Sequence, residues 1–465
     1  MDFSETYKHS GPCAWSPDGK LLAIAVDYRL VVRDLDTLQV VQLYSCLDKI
    51  SHIEWAPDSI YILCGLFKRA MVQVWSIENA EWTCKIDEGP AGIVHARWSP
   101  DGRHILTTSD FQLRVTVWSL VNTACVYVQW PKHATRGLSF SHDGRFMAVA
   151  VRRDCKDSIH VLSCDTWEIM ESFAVDTFDL ADLQWAPEDS CIAVWDSLLY
   201  YKVLVYAPDG RCLAKYQAYE NALGVKGVMW SPSGQFLAIG SYDQAVRILN
   251  YLTWKPLMEH VHPQTIRGPS TVVVYKEVEE TRDFDASTLS LDADSPEELG
   301  EGAVNCRDMI VRARYQVCEV PVNVPCQKPL PDKPNPKQGP GLLAWSADSR
   351  FVCTRNDNMP TAMWIWDVSR LELAAVLLQK EPIRAAAWDP LHPRLILCTG
   401  NSRLYMWSPE GTSCVHIPLP KFTATNLRWN PNGQSFVLLD KDTFCCAFVP
   451  PPSGYEDHHH DHHDS

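Results

Sequence analysis

Five histidines and three aspartates fill the eight positions from Asp457 to Asp464. Imidazole and carboxylate together suit Zn²⁺ or Ni²⁺, but a stretch of this composition has no folded frame to fix its ligands, and it reads as a solvated tail. Seventeen cysteines are a second store of ligands and nucleophiles. They are scattered, with no Cys-x-x-Cys pair, so zinc and oxidoreductase chemistry find no support and buried free thiols are expected. Cys445 and Cys446 are neighbours in an expected strand, where successive side chains point to opposite faces, and should not bridge. There is no Gly-x-Ser-x-Gly elbow, no phosphate-binding loop and no His-Glu-x-x-His helix. Neither an enzyme nor a bound cofactor is expected.

What recurs instead is a turn. Trp15-Ser16-Pro17-Asp18-Gly19 returns in varied form at Trp55, Trp98, Phe140, Trp185, Trp230, Trp345, Trp388 and Trp429. The spacings are 40, 43, 42, 45, 45, 115, 43 and 41 residues, and all but one match the period of four-stranded propeller blades. Each copy ends one apolar run and begins another. Proline presets φ, aspartate bonds its own following backbone and glycine accepts positive φ, so each copy is a hairpin between strands a and b. Runs 21–26, 60–64, 146–151 and 236–239 read as b strands, and 30–34, 72–76, 115–119, 246–249, 364–367 and 404–407 as alternating c strands. The motif tryptophans read as structural, filling the space between blades.

These elements predict an all-β fold, a single propeller of about nine blades. After Trp429 the chain offers strands at 424–429, 435–439 and 444–449 but no fourth, while residues 3–9 stand where a d strand would; the N-terminus is expected to complete the last blade. The divisions are then 1–262 for six blades and the closing strand, 263–340 for an insertion, 341–450 for three blades and 451–465 for the tail. Within the insertion, 277–302 is rich in Glu and Asp and is expected to be disordered, and 321–340 is proline-rich and extended. Flanking runs 271–275 and 314–320 suit a hairpin extending the blade, and the insertion as a whole reads as a loop or a docking segment.

Forty-two Lys plus Arg against 57 Asp plus Glu leave a net charge of −15, which disfavours nucleic acid as a partner. No apolar run reaches the length of a membrane span, and Met1-Asp2-Phe3-Ser4 lacks the features of a signal peptide, so no membrane partner and an intracellular setting are expected.

In a four-stranded antiparallel blade the b–c and d–a loops emerge together, opposite the Ser-Pro-Asp-Gly turns. The expected b–c turns carry Tyr28, Lys68 with Arg69, Phe111, Arg152 with Arg153 and Lys156, Tyr200 with Tyr201, Tyr242, and Asn356 with Asn358. Tyr and Arg exceed what turn chemistry needs and are the side chains enriched at binding hot spots, so this set is the candidate partner-binding face.

The Trp-Asp dipeptide at Trp366-Asp367 and the repeat period resemble the WD-repeat family, although its Gly-His pair is absent. Further phrases at 28–34, 84–89, 152–157, 240–243, 246–250 and 355–358, with the position of the acidic insertion, resemble the WD-repeat-containing protein eight family of WRAP-type centrosomal proteins over nearly the full length. The resemblance implies a non-enzymatic scaffold of centrosomes, centriolar satellites and spindle poles. It implies a coiled-coil satellite protein that anchors microtubule minus ends as partner, with a minus-end-directed kinesin and γ-tubulin-containing assemblies, and roles in spindle assembly and cilium formation. A translation-initiation scaffold and a ubiquitin-ligase adaptor are the alternative readings of a large propeller.

Overall fold

The computed structural model describes residues 1–283, 309–330 and 332–452. Nine antiparallel sheets follow one another around a ring, each built in the order a-b-c-d, and no α-helix occurs among the described residues. The pattern along each strand follows from its place. Central b strands are sandwiched between neighbouring blades and bury both faces, as in Leu21–Val26, whereas the outer d strand Val40–Ser45 leaves Val40, Val41 and Leu43 about half exposed. A fully buried leucine or isoleucine in such a strand contributes about 1.5–3 kcal/mol of transfer free energy. Cys445 and Cys446, both fully buried, show the double-sided packing: the first joins the cluster shared with blade 8 and the second the cluster shared with blade 1. The two thiols are free.

The repeated turn is a small hydrogen-bonded frame. In blade 1 the Ser16 hydroxyl donates to Asp18 (2.6 Å) and accepts from the Leu21 amide (3.0 Å), while Asp18 also accepts from the Lys20 amide (3.0 Å). The same Ser-Asp bond recurs at Ser141–Asp143 and Ser346–Asp348.

The motif tryptophans do more than fill space. Seven of the eight donate the indole N–H to the carbonyl of the residue that precedes the motif aromatic in the previous blade: Trp55 to Ala14 (2.9 Å), Trp98 to Glu54 (3.0 Å), Trp230 to Gln184 (3.2 Å), Trp345 to Met229 (3.1 Å), Trp388 to Ala344 (3.0 Å), Trp429 to Ala387 (3.1 Å) and, closing the ring, Trp15 to Arg428 (3.1 Å). The pattern lapses around blade 4. Phe140 has no indole N–H to give, and the Trp185 indole nitrogen is buried without a partner while its backbone amide donates to the Ser139 hydroxyl oxygen (3.2 Å).

The N-terminus completes blade 9. Asp2–Phe3 and Tyr7–Lys8 pair with the c strand Thr443–Phe448, and Ser4 fills the gap between them by exchanging two 2.9 Å bonds with Cys446. His9, nearly buried, accepts from the Gly11 amide and donates to the Asp440 carbonyl.

The insertion departs from its expected form. Its hairpin, Val273–Asp283 with Met309–Cys318, is longer than expected and extends blade 7, not blade 6, by pairing parallel to the d strand Glu372–Leu378. That d strand is apolar, and covering it protects an edge that would otherwise be sticky. The start of the segment expected to be disordered is therefore strand. Glu277 is buried, and Glu279 pairs with Arg403 (2.9 Å) and Lys380 (3.4 Å); acidic composition misled because its counter-charges come from elsewhere in the sequence. Positions 284–302 of that segment, and the tail from Ser453, lie outside the described residues. The proline-rich stretch is not wholly irregular either, since Val322–Asn323 pairs with Thr265–Ile266 and ties the two ends of the insertion together.

Two measurements check this account. Deleting residues 1–9 exposes the edge of the last blade and leaves its neighbours unsupported, so the melting temperature should fall by many degrees; an unchanged value would remove closure by the N-terminus. Trp388→Phe should cost about 1–2 kcal/mol more than Trp185→Phe in urea unfolding, because both trade the same ring but only the first loses a hydrogen bond.

Candidate functional site

On the face opposite the turns, each b–c loop is hydrogen-bonded to a neighbouring d–a loop: Cys46 N to Tyr28 O, Phe111 N to Ala91 O, Ser197 N to Asp179 O and Tyr242 N to Gly224 O. Backbone bonds of this kind make the face rigid. The candidate residues divide sharply upon it.

Four of them are buried and offer no surface. Tyr201 packs edge-on against Tyr216 and Tyr219, and Tyr242 lies under Lys226, whose ammonium stands 5.0 Å from the ring centre. Asn356 and Asn358 both donate to Gln244 Oε1 (3.1 and 2.9 Å), and Asn356 Oδ1 accepts from the Gly339 amide (2.9 Å). These two form a clamp that pins the end of the insertion between blades 6 and 7. Glycine is required at 339, where φ is +84° and a Cβ would lie 2.4 Å from the Ser241 carbonyl oxygen. Sequence alone placed these residues in turns but could not see that the insertion folds back over them.

Arg152 is committed to its own loop. Its guanidinium pairs with the buried Asp157 (2.9 Å) and donates to the carbonyls of Phe178 and Cys155. Burial alone would raise the Asp157 carboxyl, but the Leu180 amide, the Thr177 hydroxyl and Lys132 hold it below the usual carboxylate range. Arg69 likewise caps the Leu47 carbonyl, next to Lys68.

The remaining candidates are exposed. Tyr28 stands beside Arg29 on blade 1, and Phe111 projects from blade 3. Lys156 and Arg153 flank the blade 4 turn, and the Arg153 guanidinium lies 4.0 Å from the ring centre of Trp130. Tyr200 packs on Phe178 with ring centres 4.6 Å apart, and the Lys202 ammonium sits 4.7 Å from the Phe178 ring centre. Three further members were missed: Trp130 (48% exposed), Phe178 (60%) and Leu199 (62%). Trp130 and Phe178 lie in d–a loops, outside the b–c turns that carry the expected set; their signal is an aromatic side chain in a polar connection. Together Trp130, Arg153, Phe178, Leu199 and Tyr200 form an arc over blades 4 and 5, beside a cleft of about 340 Å³ at Tyr219 and Glu220. Exposed aromatic groups on rigid loops, ringed by arginine and lysine, can bury apolar surface of a partner at little entropic cost.

The model of the WD domain, G-beta repeat, matches residues 83–116 and 210–250, each running from a d strand through the next blade's a, b and c strands. The mouse WD repeat-containing protein WRAP73 is 49% identical over 453 residues, covering 97% of this chain and 96% of that protein. The chain belongs to the WRAP73 family of WD-repeat proteins. An uncharacterized WD repeat-containing protein of Schizosaccharomyces pombe is 21% identical over 64% of the chain and 58% of its own length. The C-terminal WD40 domain of Sif2 superposes with a TM-score of 0.52 at 10% identity, over 97% of this chain and 99% of that one, and so shares the fold.

One polar relay of this WRAP73-family propeller carries a pH signature. His262 is fully buried between blades 6 and 7, edge-on to Trp364 and Trp366. The Gln244 carbonyl can only accept, so Nδ1 donates to it (2.6 Å); Nε2 of the neutral ring then accepts from the Thr354 hydroxyl (2.7 Å), whose oxygen accepts from the Trp366 indole (2.8 Å). Blade 3 builds the same relay with Glu88 in place of histidine, through Thr107 and Trp118. Burial pushes the His262 imidazolium down to about 4 from its ordinary 6.5. The unfolded chain therefore binds this proton first, and stability, flat above pH 6.5, falls as pH drops toward 4. His95, lowered chiefly by burial, acts in the same direction. Between pH 7.5 and 5.0 His262 alone should remove about 2 kcal/mol, and His262→Gln should flatten the urea-unfolding profile over that window.

Proposed function

We propose that this chain is a non-enzymatic protein-interaction scaffold of centrosomes, centriolar satellites and spindle poles, supporting minus-end anchoring, spindle assembly and cilium formation. The observation that carries a binding role is the aromatic arc of Trp130, Phe178, Leu199 and Tyr200, which is costly to leave in water and is held on a rigid face. The cellular setting rests on the resemblance of the local phrases and on membership of the WRAP73 family.

The partner on this arc is the coiled-coil satellite protein. An amphipathic helix offers apolar side chains at i, i+3 and i+4, which suits a shallow aromatic surface, and Arg153 with Lys156 favour acidic flanks. A minus-end-directed kinesin and γ-tubulin-containing assemblies join through that protein. The net charge of −15 keeps nucleic acid out of the reading.

The test leaves Arg152 untouched because Asp157 needs it. The triple variant Trp130→Ala, Phe178→Ala, Leu199→Ser should melt as the parent does and yet lose capture of the coiled-coil protein by about thirtyfold or more, with loss of centrosomal targeting. Unchanged capture and targeting would move the site off this face. Enrichment of ribosomal subunits or cullin machinery on purification of the parent protein would replace the centrosomal reading altogether.

A further inference from the structure

An outer d strand leaves one edge to solvent, and in this ring nearly every such edge carries a guard against pairing with another chain. Blades 2, 4 and 5 place Lys85, Glu171 and Lys215 in it, and blade 6 opens on Pro256 and carries Glu259. The last two blades are guarded too. Blade 9 takes Lys8 from the N-terminus, and on blade 8 His416 accepts from the Ala313 amide of the insertion's hairpin (3.4 Å). That hairpin covers the apolar d strand of blade 7, and the d strand of blade 3 is only four residues long, with Arg114 4.4 Å from the ring centre of Tyr127.

Blade 1 is the exception. Val40-Val41-Gln42-Leu43-Tyr44-Ser45 has no charge, no proline and no covering strand, and Val40, Val41 and Leu43 stand about half exposed along it. The direction of its free backbone groups follows from its pairing. The Cys46 amide donates inward to the Tyr28 carbonyl (2.8 Å), and alternate residues of an antiparallel pair bond inward, so Tyr44 bonds to Leu30 in the same way. Leu43 and Ser45 therefore aim N–H and C=O outward. Beyond them blade 2 closes the edge, with Gln73 Oε1 on the Leu47 amide (2.8 Å) and Arg69 on the Leu47 carbonyl (2.9 Å). Among the described residues nothing meets the outward groups of Leu43 and Ser45.

We propose that this edge is the interface between two copies of the chain, which join blade 1 to blade 1 across a two-fold axis as one eight-stranded sheet. Identical strands related by a two-fold run antiparallel. Setting Tyr44 opposite Tyr44 of the second copy brings Leu43 opposite Ser45 in both directions, so the four free amides meet the four free carbonyls with none left over. The choice of a second copy rests on charge. On the other d strands a two-fold would carry Lys85, Glu171, Lys215 or Glu259 toward its own image, whereas here it brings together only uncharged side chains and takes the exposed valines and Leu43 out of water. A strand without charge also selects no partner of either sign. Blades 4 and 5 lie on the far side of the ring, so the dimer presents two aromatic arcs.

Sedimentation of the intact protein should show a concentration-dependent monomer–dimer equilibrium, and deuterium exchange across residues 40–47 should slow as concentration rises. Because each copy carries a net charge of −15, added salt should tighten the dimer. Leu43→Lys and Leu43→Glu, each first shown to melt as the parent does, should each weaken it by about tenfold or more. An equimolar mixture of the two should pair again, a recovery that damage to blade 1 would not give. The triple variant Trp130→Ala, Phe178→Ala, Leu199→Ser should dimerise as the parent does. A protein that stays monomeric up to about 100 μM would overturn the proposal. So would a dimer indifferent to both Leu43 variants, or a monomer whose 40–47 segment is protected only in complex with another protein, since the added strand would then be foreign.

Discussion

A single hydrogen bond, repeated around the ring, organises this molecule: an indole N–H of one blade on the innermost-strand carbonyl of the blade before it. Tryptophan suits the role because one side chain supplies both a large apolar face for the space between blades and a donor at its rim. The carbonyl belongs to a strand edge that has no sheet partner on that side, so the bond also satisfies a backbone group that burial would otherwise strand. Seven such bonds fix the tilt at seven of the nine junctions, and the Trp15 to Arg428 bond makes the first blade the neighbour of the last.

Everything at the edges follows from this radial order. Inner and central strands are covered by neighbours, and only the outer d strands meet water. Where a d strand is too apolar for that position, as in Glu372–Leu378, the insertion supplies another strand to cover it. Buried Glu277 and the Glu279 pairs with Arg403 and Lys380 hold the hairpin against blade 8, and Asn356, Asn358 and Gly339 hold the far end of the insertion between blades 6 and 7. A segment with the composition of a free loop thereby becomes part of the wall.

Repeats deviate at blades 4 and 8, and the aromatic arc lies at the first of them. Blade 4 has phenylalanine for tryptophan, and the loops on either side of it expose Trp130 and Phe178. Blade 8 has aspartate for serine, and its turn draws in the buried Arg394 guanidinium as the counter-charge.

How much of this was legible beforehand depends on the range of the interactions. The nine turns, the strand order and closure by the N-terminus could be read from the chain, because each rests on residues close in sequence or on a period that local chemistry enforces. Tyr28, Phe111, Arg153, Lys156 and Tyr200 were correctly expected at the surface on the same grounds. Tyr201, Tyr242, Asn356 and Asn358 were not, since what buries them arrives from other blades or from the insertion. The attachment of the hairpin to blade 7, the aromatic arc and the buried contact of Arg394 with the Pro450 carbonyl are likewise properties of juxtaposition. Sequence by itself determined the ring, because turns and strand periodicity are local; only tertiary structure decided which side chains the ring leaves unsatisfied, because burial and partnership are set by neighbours distant in the chain.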